Sequence, residues 1–318
     1  MSYCETFTFI CGKDPNMHHD DSNPLISVGI PAYKAKNLGT AICSVLNQSY
    51  QNIELIVVND HSPEDIEAVM NLFHDERIRY YVNEKNMGKD DPARNWNVCL
   101  SYAKGTFFSL LCDDDYYEPE FLKEMLLLAQ RYTDTNVFRA RADIVDADGA
   151  RIDKYASSPE WESWDDYLWH VCQRYRAQTI SEWMFRVDVL KRLGGFARLP
   201  LAWYADYLSV FRVAKEGGIA STSRLLVHFR QSGVNLSSNY ERNILPKLEA
   251  TRLYECAVTE MLEENPDKDS LLETMKKLLK VHRRYYLYQT PKKQLLAVFL
   301  RSKQLNVKKS LIWHALWH

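Results

Sequence analysis

The stretch FFSLLCDDD at residues 107–115 joins a short apolar run to three adjacent acidic residues. Because the apolar part is short and bounded, it predicts a buried β-strand. Asp113, Asp114 and Asp115 follow at the carboxyl end of that strand, where open α/β sheets bind ligands. Carboxylates this close repel one another unless positive charge lies among them, and a divalent cation such as Mg²⁺ or Mn²⁺ supplies it. The alternative is an acidic turn that caps a helix starting at Pro119.

Strands and helices alternate around this stretch. Short apolar runs predict strands at residues 25–30, 53–58, 78–82, 107–112, 137–145 and 225–230. Between the first four, apolar residues recur at helical spacing, and Asp91 is expected to N-cap the helix that follows Pro92. This order implies a doubly wound, mostly parallel sheet. From residue 242 onward the pattern is helical, with Pro266 and Pro291 as breaks.

Composition is typical of a globular protein, with 318 residues, 46% hydrophobic and 26% charged. The sequence contains no apolar stretch long enough for a membrane helix, and acidic Glu5 before the apolar patch at 7–11 argues against a signal peptide. The seven cysteines lack paired spacing, so we expect reduced core residues in a cytoplasmic protein. His18 and His19 lie in a polar stretch that either binds a metal or is a solvated tail.

Charge is unevenly distributed along the chain. Residues 274–318 hold eleven Lys or Arg and no Asp or Glu. Because the whole chain has a net charge of −2, the rest of it carries a net charge of −13. Apolar helical faces in this tail include Trp313 and Trp317, as in helices that lie in a membrane interface. An anionic membrane surface is therefore one expected partner. The alternative is packing on the body or on a second subunit, with the Trp side chains buried and the basic groups facing the acidic body.

Several motifs occur in a recognisable order. They are SVGIPAY at 27–33, SVLNQSY at 44–50, IELIVVNDHS at 53–62, NMG at 86–88, ARN at 93–95 and AKGTF at 103–107. Together with the acidic residues they resemble the inverting nucleotide-sugar glycosyltransferases of family 2, over roughly residues 24–235. The resemblance implies a GT-A fold, a Rossmann-like α/β sheet flanked by helices, at 24–235. We expect an N-terminal arm at 1–23 and a helical, basic C-terminal extension at 236–318.

The resemblance also implies a binding site for a nucleotide-sugar donor, most simply a UDP-sugar. Pro31, Ala32 and Tyr33 would present backbone groups to the base. Asp60 ends a strand and would accept the N3–H of uracil, the alternative being a helix N-cap. Arg94 would reach the nucleotide or diphosphate, because a guanidinium fork suits anionic oxygens, and its alternative role is a surface charge.

The acidic block, residues 112–115, departs from the family pattern of Asp-x-Asp-Asp, three residues and Pro. Counting back from Pro119 places Cys112 at the usual first Asp. We expect Asp113 and Asp114 to contact the donor, and Asp113, Asp114 and Asp115 to hold Mn²⁺ or Mg²⁺. Asp114 matches the family pattern most securely.

The expected catalytic base follows the turn Gly194-Gly195-Phe196. The family usually has Glu-Asp at the start of the next helix, where this chain has Ala205 and Asp206. Asp206 is therefore the predicted general base, and its alternative role is a helix cap. Further on, Ser232 stands at the His of the family's Tyr-Arg-x-His element. His228 either replaces that contact or faces the core.

The resemblance thus implies metal-dependent, inverting sugar transfer to a hydroxyl of a saccharide or lipid-linked acceptor in surface polysaccharide synthesis. A homodimer and a position on the inner face of the membrane are further expectations, and nucleic acid is not an expected partner. A nucleotidyltransferase is disfavoured, because the loop at 31–36 has no glycine. A non-catalytic binding or assembly subunit is the main alternative, since Cys112, Ala205 and Ser232 replace polar functional residues of the family.

Overall fold

Strands and helices alternate through the first half of the chain, as the apolar pattern predicted. The structure is a computed structural model that describes residues 23–231, 243–264 and 272–317. The strands are β1 Ile26–Ala32, β2 Ile53–Asn59, β3 Ile78–Val82, β4 Phe107–Leu110, β5 Tyr116–Tyr117, β6 Val137–Val145, β7 Arg151–Lys154, β8 Trp161–Glu162, β9 Trp183–Arg186 and β10 Ile219–Arg230. The predicted arm with His18 and His19, and Ser232, lie outside the described residues.

The helices surround these strands and continue beyond them. They are α1 Leu38–Leu46, α2 Ile66–Met70, α3 Ala93–Tyr102, α4 Phe121–Arg131, α5 Trp164–Cys172, α6 Val187–Arg192, α7 Ala205–Ala214, α8 Ile244–Glu263, α9 Leu272–Tyr288, α10 Lys292–Leu300 and α11 Lys309–Trp317. Pro291 separates α9 from α10, as predicted. Within the described ranges, none of these helices has the length and apolar character needed to cross a membrane.

The described strands form one ten-stranded sheet with the order β3-β2-β1-β4-β9-β6-β10-β5, and β7 and β8 pair with β6 and β10. Strand β1 runs parallel to β2 and β4, and β2 runs parallel to β3. Strand β9 lies antiparallel between β4 and β6. The predicted mostly parallel α/β sheet is therefore confirmed, and the carboxyl ends of β1, β2 and β4 meet at one edge.

The sheet is covered on both faces, which explains its continuous apolar runs. In β2, Leu55 and Val57 enter one core cluster, whereas Ile56 and Val58 enter the other, as the period of two requires. Helices α1, α2 and α4 pack in the first cluster, and α3, α5 and α7 in the second. Tyr254 of α8 also belongs to the second cluster. The C-terminal helices are thus joined to the sheet by continuous apolar packing, while the domain boundary at 235 stays a prediction.

The cysteines only partly follow the sequence prediction. Cys99 and Cys172 are buried in the core, as expected. Cys43 and Cys256 are exposed, so the prediction of core positions was wrong for these two. Each lies on a helix whose apolar stripe is supplied by neighbouring residues, which leaves the thiol on the solvent side.

Two glycines with positive φ allow a direct test of how the turns are built. Gly217 (φ +89°) precedes β10, and a Cβ there would overlap the carbonyl oxygen of Asp134. Gly194 (φ +87°) has nothing within 4 Å of that position. Gly194→Ala should lower the free energy of unfolding by about 1–2 kcal/mol, the cost of a left-handed alanine. Gly217→Ala should lower it by about 2 kcal/mol more, since the backbone must also shift.

Urea unfolding followed by circular dichroism measures both variants against the native chain. Equal losses for the two substitutions would contradict the packing described for Gly217.

Candidate active site

The acidic block contacts the loop that follows β1. Oδ2 of Asp113 accepts the backbone N–H groups of Tyr33 and Lys34, each at 2.7 Å. Oδ2 of Asp114 lies 2.9 Å from Nζ of Lys34. Burial, followed by the charge of Asp114, raises the pKa of Asp113 to about 6, and the two amides partly offset this rise. The strand ends therefore bring the predicted donor residues of β1 and β4 together.

Asp115 points away from its two neighbours and is fully buried. Its carboxylate accepts Oγ–H of Ser181 at 2.6 Å and the backbone N–H of Arg230 at 2.9 Å. Nε of Arg230 also donates to the carbonyl of Asp114 at 3.0 Å. Asp115 therefore fastens the acidic block to the segment just before β9 and to β10, and its enclosed carboxylate does not match the predicted role as a metal ligand.

The loop after β1 uses its backbone groups within the protein. The carbonyl of Ala32 accepts the N–H of Asp60 at 3.0 Å, and the carbonyl of Tyr33 accepts Oγ–H of Ser62 at 2.6 Å. Pro31 still lies within β1, opposite Val58. The expectation that Pro31, Ala32 and Tyr33 present backbone groups to a base stays a prediction. The exposed group is the ring of Tyr33, which is 40% accessible.

Asp60 follows β2, as predicted, and its carboxylate binds the loop after β3. Oδ1 accepts Nδ2–H of Asn83 at 2.8 Å and the N–H of Met87 at 2.7 Å, and Oδ2 accepts the N–H of Gly88 at 2.7 Å. The alternative role of Asp60 as a helix cap is wrong, because Asp65 caps α2. A carboxylate has about four acceptor positions, so these three hydrogen bonds leave capacity for one more donor.

Two arginines share one carboxylate beside this loop. Oδ2 of Asp91 lies 3.0 Å from Nε of Arg198 and 3.8 Å from Nε of Arg94. Asp91 therefore does not cap α3 with its side chain, contrary to the sequence prediction. Arg94, Arg198 and Met87 line an open cleft of about 350 Å³ together with Asn97. Two guanidinium groups against one carboxylate leave net positive charge, which suits an anionic ligand.

Asp206 lies in the first turn of α7, as predicted, and is half-buried. Burial raises its pKa to about 6, and hydrogen bonds from the backbone of Tyr207 and from Gln178 partly offset this rise. Nε2 of Gln178 lies 3.2 Å from Oδ2 of Asp206, and the Oε1 of the same residue accepts the hydroxyl of Tyr167 at 2.9 Å. The N-cap of α7 is Tyr204, so Asp206 does not occupy the cap position.

The segment at residues 178–182 joins Asp206 to the acidic block. Gln178 binds Asp206, whereas Ser181 binds Asp115 and also accepts the N–H of Cys112 at 3.1 Å. Glu182 pairs with Arg139 at 2.8 Å in the interior. Burial raises the pKa of Glu182 to about 8, with Asp206 among the nearby charges that raise it. Sequence analysis did not identify this segment, because no motif marks it.

The chain before Asp206 is strained. Leu201, Ala202 and Tyr204 have φ of 59°, 51° and 65°, a left-handed backbone that costs about 1–3 kcal/mol for each such residue. The N–H of Leu201 donates to the carbonyl of Asp90 at 2.7 Å. The ring of Tyr204 stacks on that of Tyr254 at 4.6 Å. Contacts with the loop that contains Asp90 and with α8 therefore hold this segment in place.

Two further polar groups lie outside the arrangement predicted from the sequence. Nδ1 of His228 is 2.7 Å from Asp143 and its Nε2 is 2.8 Å from Glu118, so His228 is enclosed in a buried polar cluster. Glu162, Asp166 and His170 have ligand atoms within 4.8 Å of one another, the arrangement needed to hold a metal ion. However, Glu162 already pairs with Arg176, whose positive charge opposes a cation.

The mostly parallel sheet with helices on both faces is an α/β fold of the GT-A type, and comparison with known proteins identifies the family. Residues 27–194 match the family model for glycosyl transferase family 2. Because this match spans more than half of the 318 residues, the chain belongs to glycosyl transferase family 2. The resemblance seen in the motifs is thereby confirmed.

Two curated relatives show how far the sequence similarity extends. An uncharacterized glycosyltransferase of Haemophilus influenzae is 39% identical over 106 residues, which is 32% of this chain and 41% of the relative. The hyaluronan synthase of Pasteurella multocida is 29% identical over 174 residues, which is 52% of this chain and 17% of the synthase. The chain therefore covers less than half the length of either relative.

Solved structures support the fold over most of the chain. TarS 1–349 of S. aureus in complex with UDP-GlcNAc has a TM-score of 0.67 at 15% identity, covering 92% of this chain and 89% of that one. The mannosyltransferase PcManGT of Pyrobaculum calidifontis, in complex with GDP-Man and Mn²⁺, has a TM-score of 0.55 at 13% identity, covering 89% and 76%. Both matches extend past residue 235, so they include part of the C-terminal helices.

Asp115→Asn tests the anchoring role of this carboxylate. An amide in its place directs an NH₂ group at one of two donors, Ser181 or Arg230, so the free energy of unfolding should fall by about 1–3 kcal/mol. The loss should be the same in EDTA and in Mn²⁺, because the substitution removes an internal hydrogen bond. Urea unfolding under both conditions measures it.

Ser181→Ala removes one of the same hydrogen bonds, so its effect should not add fully to that of Asp115→Asn. An Asp115→Asn variant whose stability changes only when Mn²⁺ is present would instead support the metal-ligand role.

Proposed function

We propose that this chain is an inverting glycosyltransferase that moves a sugar from a nucleotide-sugar, most simply a UDP-sugar, to an acceptor hydroxyl. The observation that carries the proposal is the joining of Asp206 to the acidic block through residues 178–182. A base and a diphosphate-binding strand end are then adjacent parts of one site. The remaining acceptor capacity of Asp60 is consistent with a uracil base, since its Oδ2 accepts one hydrogen bond and can accept another.

The proposed reaction is a single displacement at the anomeric carbon. The acceptor oxygen forms a bond to that carbon, and the bond from the carbon to the β-phosphate oxygen breaks. The bonding electron pair leaves with the nucleoside diphosphate, and the acceptor proton passes to Asp206. One displacement without a covalent intermediate inverts the configuration. Arg94 and Arg198 lie where positive charge would stabilise the phosphates, the electrostatic term that is usually largest in such catalysis.

A divalent cation, Mn²⁺ or Mg²⁺, fits Asp114. The carboxylate of Asp114 lies at the strand end and pairs with the Lys34 ammonium, whereas Asp113 binds backbone amides and Asp115 binds Ser181 and Arg230. Such ions take one or two carboxylates and complete their shell with phosphate oxygens and water. When bound, the ion would neutralise charge on the leaving diphosphate. Asp113 then acts by holding the loop after β1, and Asp115 by holding β10 and the segment just before β9.

Asp206→Asn tests the proposed base and separates it from the non-catalytic alternative. The native chain should hydrolyse one of a panel of UDP-, GDP-, CDP- or dTDP-sugars slowly, because water can replace the acceptor. The variant should lose about 10²–10⁴-fold of that rate, while donor binding measured by thermal shift stays within about twofold, since the base does not contact the donor's nucleotide.

The matched control is Asp188→Asn, an exposed acidic residue that also lies in the first turn of its helix. Its rate should equal that of the native chain. Because Asp206 acts as the carboxylate and its pKa is raised to about 6, the native rate should be constant above about pH 6 and fall about tenfold per unit below it. A native chain that binds donors but hydrolyses none would favour a binding or assembly subunit.

We further propose that the C-terminal helices contact an anionic membrane surface near a lipid-linked acceptor. In the structure, each apolar helical face has both buried and exposed residues. Leu295 and Ile312 are buried in a cluster with residues of α8, as the packing alternative expects. Trp313 and Trp317 are 59% and 74% exposed, so packing within this chain does not bury them, and burial against a second subunit stays a prediction. Exposed Trp beside exposed Lys is the composition of interfacial helices. The exposed lysines from α10 to α11 are Lys292, Lys293, Lys303, Lys308 and Lys309.

Liposome flotation tests this surface. The full chain should float with vesicles that contain phosphatidylserine and not with neutral ones, and salt should weaken binding, because each basic residue contributes about 1 kcal/mol near an anionic leaflet. Trp313→Ala combined with Trp317→Ala should weaken binding at least about tenfold. Leu72→Ala, which removes an equally exposed apolar group on the catalytic body, should have no effect. A native chain that ignores both vesicle types leaves only the packing role.

A further inference from the structure

Lys34 is bound to two members of the acidic block at once. Its side-chain ammonium lies 2.9 Å from Oδ2 of Asp114, and its backbone N–H donates to Oδ2 of Asp113 at 2.7 Å. The Lys34 side chain is 35% exposed, whereas that of Asp114 is only 9% exposed. A cation from the first strand's loop therefore sits on the carboxylate to which a divalent ion would bind.

The surroundings of Lys34 hold its positive charge. The carboxylate of Asp114 lies 2.9 Å from the Lys34 ammonium, and that of Asp113 binds the backbone N–H of the same residue, so two negative groups surround this charge. In addition, Cys112 occupies the position where the family pattern has its first Asp and Asp113 occupies the variable position, so the block keeps three carboxylates in a shifted arrangement. With the Lys34 ammonium beside Asp114, this site has less net negative charge for a divalent cation to neutralise than three carboxylates alone would provide.

We propose that Lys34 is a resident cation of the donor site, which pairs with Asp114 when the site is empty and contacts the donor's diphosphate when it is filled. This inference rests on the proposed function. A diphosphate beside Asp114 would be repelled by that carboxylate, and an ammonium between them attracts both groups. Lysine suits this position, because its charge is compact, its stem is flexible and it carries three donors.

A divalent cation and Lys34 then compete for the same carboxylate. The native chain should therefore bind a nucleoside diphosphate without metal, since Lys34 supplies positive charge. Removing the ammonium should weaken that metal-free binding and strengthen the binding of Mn²⁺ alone, because a competing positive charge no longer lies beside Asp114. These two opposite effects are not expected of an ordinary surface ion pair, which contributes little to anything but local stability.

The experiment compares the full-length native chain with Lys34→Met, Lys34→Arg and Lys36→Met. Lys36 is a matched control, since it carries the same charge two residues further along the same loop and is exposed. Lys34→Met keeps the backbone N–H that Asp113 binds, so the loop retains that contact. Isothermal titration measures UDP binding in EDTA, UDP binding with MnCl₂, and MnCl₂ binding without nucleotide.

In EDTA, Lys34→Met should bind UDP at least about tenfold more weakly than the native chain, as expected for loss of a charge-assisted contact. Lys34→Arg should recover most of that loss, and Lys36→Met should stay within about twofold of the native value. Without nucleotide, Lys34→Met should bind Mn²⁺ at least about threefold more tightly.

The outcomes separate this inference from the function on which it rests. If the native chain binds UDP with MnCl₂ but Lys34→Met matches it in every titration, Lys34 is a surface ion pair and the inference fails alone. It also fails alone if native UDP binding requires Mn²⁺. If the native chain binds neither UDP nor GDP under any condition, the proposed donor site fails as well.

Discussion

Three adjacent carboxylates at the end of β4 bind parts of the chain that are distant from them in sequence. Asp113 accepts two backbone amides from the loop after β1, Asp114 pairs with Lys34, and Asp115 accepts donors from Ser181 and Arg230. The negative charges of the carboxylates would repel one another, but here they bind donors from segments that are distant in sequence. The remaining geometry of the site depends on these contacts, because β1, β9 and β10 are aligned on this one strand end.

Asp206 depends on a second set of contacts, which are mostly apolar or aromatic. The strained segment from Leu201 to Tyr204 would relax if it were free, and it is held by a hydrogen bond to Asp90 and by stacking on Tyr254. Lys247 of α8 also lies 4.4 Å from the ring of Trp203. The C-terminal helices therefore do more than extend the chain, since α8 forms one wall behind the proposed base. Strain near a reactive group persists only where the surroundings determine the conformation.

The positive groups of the site come from three separate elements. Lys34 follows β1, Arg94 begins α3, and Arg198 lies in the turn before α7. Asp91 holds the two arginines near each other, and Asp114 holds Lys34. Because Asp113 and Asp115 are engaged elsewhere, protein cations and a single carboxylate surround the proposed diphosphate position. This balance favours a site in which the protein itself neutralises much of the donor's charge.

The sequence alone determined the fold class, most strands of the parallel half, and the strand-end positions of Asp60 and the acidic block. These follow from local patterns, since buried strands need continuous apolar runs and helices need a period of 3.6 residues. The sequence also located Asp206 by its motif. It did not identify Ser181, Gln178, Arg198 or Lys34 as site residues, because none of them belongs to a local pattern. Their roles arise from strand order: β9 inserts antiparallel beside β4, and this brings residues 178–182 between the acidic block and α7. Tertiary structure likewise decided that Asp115 is an anchor and Asp91 an arginine partner, because burial and distant donors, rather than residue type, determine what a carboxylate binds.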